Sequence, residues 1–434
     1  MRVLLIGSGG REHAMAWALA RSARFTKLWT LPGNAGTAEF GENVQGVSAA
    51  DATAVAELAG RLRPDLVVIG PEEPLCAGVG DRLAAEGFAV FGPSAAAAEI
   101  ESSKAFAKEL MKRAGIATAA ARSFDREPAA VAYLRQTFAR GEGVGIVVKA
   151  DGLAAGKGVT VCDDLSAAEA AVAEAFGGAF GPAGETILLE ERLIGRETSA
   201  HAFTDGRSVA HMPFSCDHKP VFDGNRGPNT GGMGCYSPPG WLDRGTAREI
   251  RRSVTERAVR RLAEEGREFR GVLYPGMMIT AQGPRVIEFN CRFGDPETEV
   301  LLPRLRTDFL DVCEAVSTGR LAELELQWDE RATVGVVLVS PGYPGSYPRG
   351  AEIEGLDAVD PGVHVFLAGA RRIGSRVLTD GGRVLCVVAA GATIGEARSL
   401  AYDNVARISF DGAHYRRDIA LDAEPAALVQ GAAS

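Results

Sequence analysis

Five short apolar runs, "RVLLIG", "KLWTLP", "ENVQGVS", "DLVVIGP" and "FAVFGP", alternate with helical patterns such as "DATAVAELAGRLR" over about the first ninety residues. Apolar runs bounded by turn residues read as buried strands, and their regular alternation with helices dictates a parallel, doubly wound sheet. The first turn, "GSGGREHAMAWALA", sets glycines between a strand and a helix. It is not the dinucleotide fingerprint: Gly7 and Gly9 are followed by Glu12 where a third glycine should stand. The second strand also runs into "LPGNAGTAEF" instead of ending on a lone acid, which counts against a nicotinamide-dependent oxidoreductase. Two readings of the turn stay open. It is a tight turn that needs glycine, or a helix N-terminus that receives a phosphate from something other than a dinucleotide.

A chain of 434 residues exceeds one ordinary core, so further units are expected. "ESSKAFAKELMKRAGI" reads as a helix capped by Ser102 or Ser103 and stopped by Gly115, and it opens a second unit. That unit continues through "VGIVVKADGLAAGKGVTVC" and the strand "TILLEERL" into a long polar stretch, "SCDHKPVFDGNRGPNTGGMGCYSP". A stretch with so much Gly, Asn and Asp and no hydrophobic period is expected to be an irregular site loop. A helix near residues 247–265, the strands "GVLYPGMMIT" and "RVIEFNC", and a helix near residues 306–318 complete the unit. From about residue 332 short strands and turns dominate, with Asp380, Gly381 and Gly382 suited to a hairpin, followed by one helix, "TIGEARSLAYDNVARI". The expected division is residues 1–101, residues 102–325 with a lid at about 120–192, and a β-rich unit over 326–434.

The net charge of -9 argues against a nucleic-acid surface, which needs clustered Lys and Arg on one face. The seven cysteines form no CxxC pair and no Cys/His ligand spacing, so a reduced, cytoplasmic setting is expected. No apolar run approaches the ~20 residues of a membrane span, and "MRVLLIGSGG" enters a strand without a secretory pattern.

Two stretches carry chemistry. In "VVKADGLAAGKGVTV" the Walker pattern fails, because Gly158 occupies its Ser/Thr position and the first Gly falls at the wrong spacing. Strands flank these glycines on both sides, so the stretch reads as a hairpin lid. It can lay backbone N–H groups over phosphates, with Lys149 on the strand and Lys157 at the tip, or be an ordinary Gly-rich hairpin with surface lysines. In "RVIEFNCRFGDPETEVLLP", Glu288 and Asn290 stand two apart on a strand and therefore share a face. A carboxylate beside an amide oxygen suits a hard cation such as Mg²⁺, and Arg292 on the same alternation makes a phosphoryl-transfer constellation.

Taken together, "GSGGREHA", "PGNAGTA", "GPEEPL", "SKAFAKELM", "KADGLAAGKGV", "GPNTGGMGCYSP", "NCRFGDPETE" and "GGRVLCV", in this order, resemble the glycinamide ribonucleotide synthetase family of the ATP-grasp superfamily over essentially the whole chain. "RFGDPET" after "EFN" is the most specific of these. The departures are small: "GSGGREHAM" for the common "GNGGREHAL", and variation within residues 220–226.

The resemblance implies an α/β chain with a central ATP-grasp α+β unit between the N-terminal parallel sheet and the C-terminal β-rich domain. It implies ATP-dependent joining of glycine to 5-phosphoribosylamine through a glycyl phosphate, in purine biosynthesis, by a monomer that needs Mg²⁺ or Mn²⁺. Another ATP-grasp carboxylate–amine ligase is the alternative.

By the same resemblance Lys104 and Lys149 would contact ATP phosphates under a lid that includes Gly152, Gly156, Lys157 and Gly158. Glu190, Glu191 and Leu193 would meet adenine, and Glu197 the ribose. Glu288 and Asn290 would hold the metal, and Arg292 would stabilise the acyl phosphate. Asp217, Lys219, Asn229, Thr230, Gly231, Asp295 and Glu297 would hold the two substrates, with Arg292, Lys149 and Asp295 as the catalytic set. Gly7, Gly9 and Gly10 would seat the ribose 5-phosphate. His13 and His218 receive no catalytic proton.

Overall fold

The computed structural model describes residues 1–141, 145–153 and 158–423. The strands Arg2–Gly7, Lys27–Pro32, Glu42–Asn43, Leu66–Ile69 and Val90–Phe91 form one parallel sheet, with the first strand in the middle and the third and fifth at the edges. The first strand is buried on both faces: Val3 and Leu5 enter one core, while Leu4 and Ile6 enter another. That two-sided burial explains a continuous apolar run, since each such side chain gains ~1.5–3 kcal/mol on leaving water.

The helix Ala95–Ser102 stops at Ser103, whose extended backbone starts a second helix, Lys104–Ala114. Ser103 Oγ accepts from Phe106 N at 3.0 Å, and Gly115 closes the helix in a left-handed conformation, as the cap residues require. The strand Ile146–Ala150 pairs on one side with Val159–Cys162, the expected lid hairpin, and on the other with Ile187–Glu191, which also holds Ala121–Phe124. The helices Glu127–Ala139 and Leu165–Glu174 cover this sheet, giving the lid its own core around Leu134, Val148, Val172 and Leu189. A second sheet sets Arg270–Thr280 between Arg196–Ser199 and Ala202–Asp205, with Gly283–Asn290 also paired to it.

Two expectations for the second half need correction. The polar stretch after residue 214 is not irregular: it contains the strands Cys216–Asp217, Pro220–Phe222, Arg226–Asn229 and Gly234–Ser237. The first and last of these join Ala332–Val339, His364–Leu367 and Arg383–Gly391 in the main C-terminal sheet, where Tyr236 faces Val334. Such short strands hold too few residues to display a period of two, yet Cys235 and Tyr236 are fully buried. The turn at residues 380–382 does not close a hairpin. Arg376–Thr379 pairs with Ala370–Ile373, whereas Arg383–Gly391 belongs to the main sheet, so the two glycines carry the chain from one sheet to the other.

Candidate active site

A cavity of about 460 Å³ opens among the helix Lys104–Ala114, the lid sheet, the strand Gly283–Asn290 and the loop around residue 230. It brings together Lys104, Lys149, Gly152, Gly158, Glu190, Glu191, Leu193, Glu197, Asp217, Lys219, Asn229, Thr230, Gly231, Glu288, Asn290, Arg292, Asp295 and Glu297. Gly156 and Lys157 lie outside the described residues. Gly7, Gly9 and Gly10 do not line the cavity, but their turn adjoins it, because Arg11 N donates to Asp295 Oδ2 at 3.3 Å.

The strand that carries Glu288 and Asn290 has a bulge. Gly276 faces Glu288 while Met277 faces Val286, which leaves Ile287 as the extra residue. Ile287 O accepts from Lys149 Nζ at 3.0 Å, so the irregular residue anchors a lysine beside the acid. Asn290 Nδ2 donates to Tyr274 O at 3.4 Å, which fixes the amide and leaves its oxygen as the donor available to a cation. Burial opposes ionisation of Glu288, but Lys219, Lys149, Lys104 and Arg292 outweigh it and hold its carboxyl below the usual range. Lys219 Nζ stands 3.6 Å from Glu288 and 3.7 Å from Glu197. Burial works against its charge, yet Glu288, Glu197, Asp217 and Glu297 together raise its pKa well above the ordinary lysine value.

Arg292 is gripped by two acids of the N-terminal unit: Nε meets Glu72 at 3.0 Å and Nη2 meets Glu101 at 2.9 Å. Neither acid was singled out from the sequence. Glu72 sits inside "GPEEPL", but nothing local tells that it pairs with an arginine 220 positions away. Lys108 was also not foreseen. Its Nζ lies 3.2 Å from Glu190 Oε2, and Lys149 Nζ lies 3.1 Å from the same oxygen. Glu190 is thus turned toward two lysines, and its buried Oε1 has no hydrogen-bond partner. Glu191 points the other way and accepts from Ala120 N at 3.1 Å. Lys104 Nζ donates to Gly152 O at 2.9 Å, tying the helix start to the base of the lid. Burial lowers its pKa, with Lys149 adding to that and Glu288 opposing it.

On the opposite wall Thr230 is fixed to Lys219 O through both its N, at 2.8 Å, and its Oγ1, at 2.7 Å. Glu297 Oε1 accepts from Tyr274 Oη at 2.6 Å and from Ser199 Oγ at 3.1 Å. Burial pushes Asp217 up to about 8, Lys219 opposing and Glu297, Glu197 and Glu288 adding to it. Burial also opposes the charge of Asp295, but Arg383 and Arg11 hold its carboxyl below the usual range. Burial and then Asp295 push the Glu299 carboxyl well above the usual carboxylate range. At the glycine turn, Gly9 N donates to Glu12 Oε2 at 2.6 Å, so one leading amide of the helix already has an acceptor.

The donor set fits a hard divalent cation. Glu288 offers an ionised carboxylate and Asn290 a fixed amide oxygen, and among the described residues no group of three or more His, Cys, Asp or Glu is placed to hold a metal. Two protein oxygens leave the rest of the shell to water and phosphate, as Mg²⁺ prefers. With Lys104, Lys149, Lys219 and Arg292 around them, the arrangement can bind a polyphosphate and neutralise a moving phosphoryl group.

Family models for phosphoribosylglycinamide synthetase match the chain in three parts: the N domain over residues 1–101, the ATP-grasp (A) domain over 102–298 and the C domain over 333–422. The phosphoribosylamine–glycine ligase of Allochromatium vinosum is 48% identical over 96% of this chain and 98% of its own length. That of Pseudomonas aeruginosa is 46% identical over 96% and 97%. The crystal structure of the Thermotoga maritima phosphoribosylamine–glycine ligase superposes with a TM-score of 0.83 at 33% identity, covering 96% of this chain and all of that one. The biotin carboxylase domain of the Hydrogenobacter thermophilus 2-oxoglutarate carboxylase, at 17% identity and a TM-score of 0.72, shares the fold. The chain belongs to the phosphoribosylglycinamide synthetase family.

Proposed function

We propose that this chain joins glycine to 5-phosphoribosylamine at the expense of ATP, through a glycyl phosphate, giving glycinamide ribonucleotide, ADP and phosphate in purine biosynthesis. The observation that carries the reading is the meeting of Glu288 and Asn290 with Lys104, Lys149, Lys219 and Arg292 in one cavity. A carboxylate is a poor electrophile because oxide is a poor leaving group. Phosphorylating one of its oxygens supplies a leaving group, and the amine then forms the C–N bond as phosphate departs.

Lys104 and Lys149 are suited to the ATP phosphates, with Gly152 and Gly158 at the lid base above them. The orphaned Glu190 Oε1 is an acceptor for the adenine amino group, beside Glu191 and Leu193. Glu197 is in reach of the ribose. Glu288 and Asn290 would hold Mg²⁺ or Mn²⁺, and the bound cation would supply positive charge to neutralise the ATP phosphates. Arg292, its fork fixed by Glu72 and Glu101, is pre-set for the transferred phosphoryl group, so little reorganisation is needed at the moment of transfer.

Asp217, Lys219, Asn229, Thr230, Gly231, Asp295 and Glu297 form the substrate wall, and the Gly7, Gly9 and Gly10 turn remains the seat proposed for the ribose 5-phosphate. The three matched segments support units over 1–101, 102–325 and 326–434. All seven cysteines are free thiols, which supports the cytoplasm as its compartment. ADP release should require glycine, 5-phosphoribosylamine and a divalent cation together. Equal release with either substrate omitted would overturn the assignment.

A further inference from the structure

The C-terminal unit reaches into the substrate wall through Arg383 and Tyr343. Arg383 Nη1 donates to Gly231 O at 2.6 Å and to Asp295 O at 2.7 Å, while Nη2 stands 2.9 Å from Asp295 Oδ1. Tyr343 Oη accepts from Gly231 N at 3.0 Å, so this glycine is held at both its N–H and its C=O by one unit of the fold. The local backbone is shaped for these contacts. Val339 faces Arg383 whereas Leu338 faces Leu385, which makes Val384 an extra residue and breaks the alternation next to the arginine. A Cβ on Gly231 would stand 3.0 Å from the Arg383 guanidinium carbon, and one on Gly382 would stand 2.3 Å from the Tyr343 ring. Glycine at both places is what lets the two side chains lie where they do.

The geometry points to Arg383, with Tyr343, as positioning residues that fix the Thr230–Gly231 segment and the Asp295 turn at the spacing the two substrates need. This rests on the ligase reading. Arg383 joins these elements because a planar fork reaches two carbonyls and a carboxylate at once, whereas an ammonium on a flexible stem cannot hold the same directions. The ATP side is untouched: among the described residues, Lys104, Lys149, Glu190 and Glu288 form their hydrogen bonds and ion pairs with partners other than Arg383 and Tyr343.

The test is steady-state kinetics of Arg383→Lys and Tyr343→Phe in the full chain, with glycine, 5-phosphoribosylamine and ATP each varied. Arg383→Lys should raise the KM of glycine or 5-phosphoribosylamine about tenfold or more while the KM of ATP moves by less than about twofold, as loss of charge-assisted hydrogen bonds on one wall implies. Tyr343→Phe, which deletes one hydroxyl, should shift the same KM in the same direction by less, and it keeps the test decisive if the lysine variant folds poorly. Unchanged substrate KM values in both variants, or an ATP KM that rises in step, overturn the inference. A wild-type protein without glycine-dependent ADP release refutes the ligase reading itself, and this inference with it.

Discussion

Glu288 is an acid among cations: four basic side chains outweigh the burial that would otherwise neutralise it. Its replacement removes one of two oxygens offered to the cation and leaves Lys219 without a close partner on that side. Glu288→Ala should therefore lose roughly 10²-fold or more in kcat, as removal of a group that stabilises transition-state charge does. Turnover near wild type with the same metal dependence would show that the oxygen lies elsewhere. Asp217 is the opposite case, an acid held protonated by burial, with a pKa of about 8. Between the ordinary carboxylate range and that value the folded chain binds a proton that the unfolded chain has released. Stability must then fall as pH rises through this window, by up to about 1.4 kcal/mol per unit for one proton, and level off above it. Asp217→Asn should flatten that slope in urea unfolding followed from pH 5 to pH 8, and an unchanged slope would assign the proton to another group.

At the scale of elements, the break at Ser103 decides where two lysines go. A continuous helix through residues 95–114 would carry Lys104 and Lys108 around its axis in one register. The extended Ser103 instead starts a new helix whose first turns face the cavity, and its Oγ also donates to Asp151 Oδ2 at 3.3 Å at the lid base. Ser103→Ala should cost about 1 kcal/mol in urea unfolding, the usual loss of a side-chain cap. An unchanged midpoint would mean the cap contributes nothing. This cap was legible in the sequence, as were the five parallel strands, the lid hairpin and the shared face of Glu288 and Asn290, because each follows from a local period or a local cap. The strands inside residues 216–237 were not, since their register is set by partners such as Val334 that lie far along the chain. For the same reason Glu72 and Glu101 were missed: an acid at the start or the end of a helix shows nothing of the arginine it will meet 220 or 191 residues later.

At the scale of the molecule, the first two units line the cavity, the third touches its substrate wall through Arg383 and Tyr343, and packing holds all three together. One apolar cluster runs from Val3 and Leu5 through Phe203 and Phe293 to Val336 and Val387. Within it Phe203 sits 6.3 Å from Phe91 and 5.7 Å from Phe293, while Phe293 sits 6.0 Å from Phe309, ring centre to ring centre. The lid has a separate core, so the cavity has a floor from the N-terminal and central units and a roof that packs on its own. Such a floor holds an acid, an amine and a nucleotide in line, which is most of what this chemistry asks of a protein. In the chemistry proposed for this site, the glycine carboxylate is activated by phosphorylation on one of its own oxygens. Glycine labelled with ¹⁸O in both carboxylate oxygens, turned over with ATP and 5-phosphoribosylamine in unlabelled water, tests it directly by mass spectrometry of the products. One labelled oxygen should appear in each phosphate released and the other in the amide carbonyl; unlabelled phosphate would rule out the glycyl phosphate.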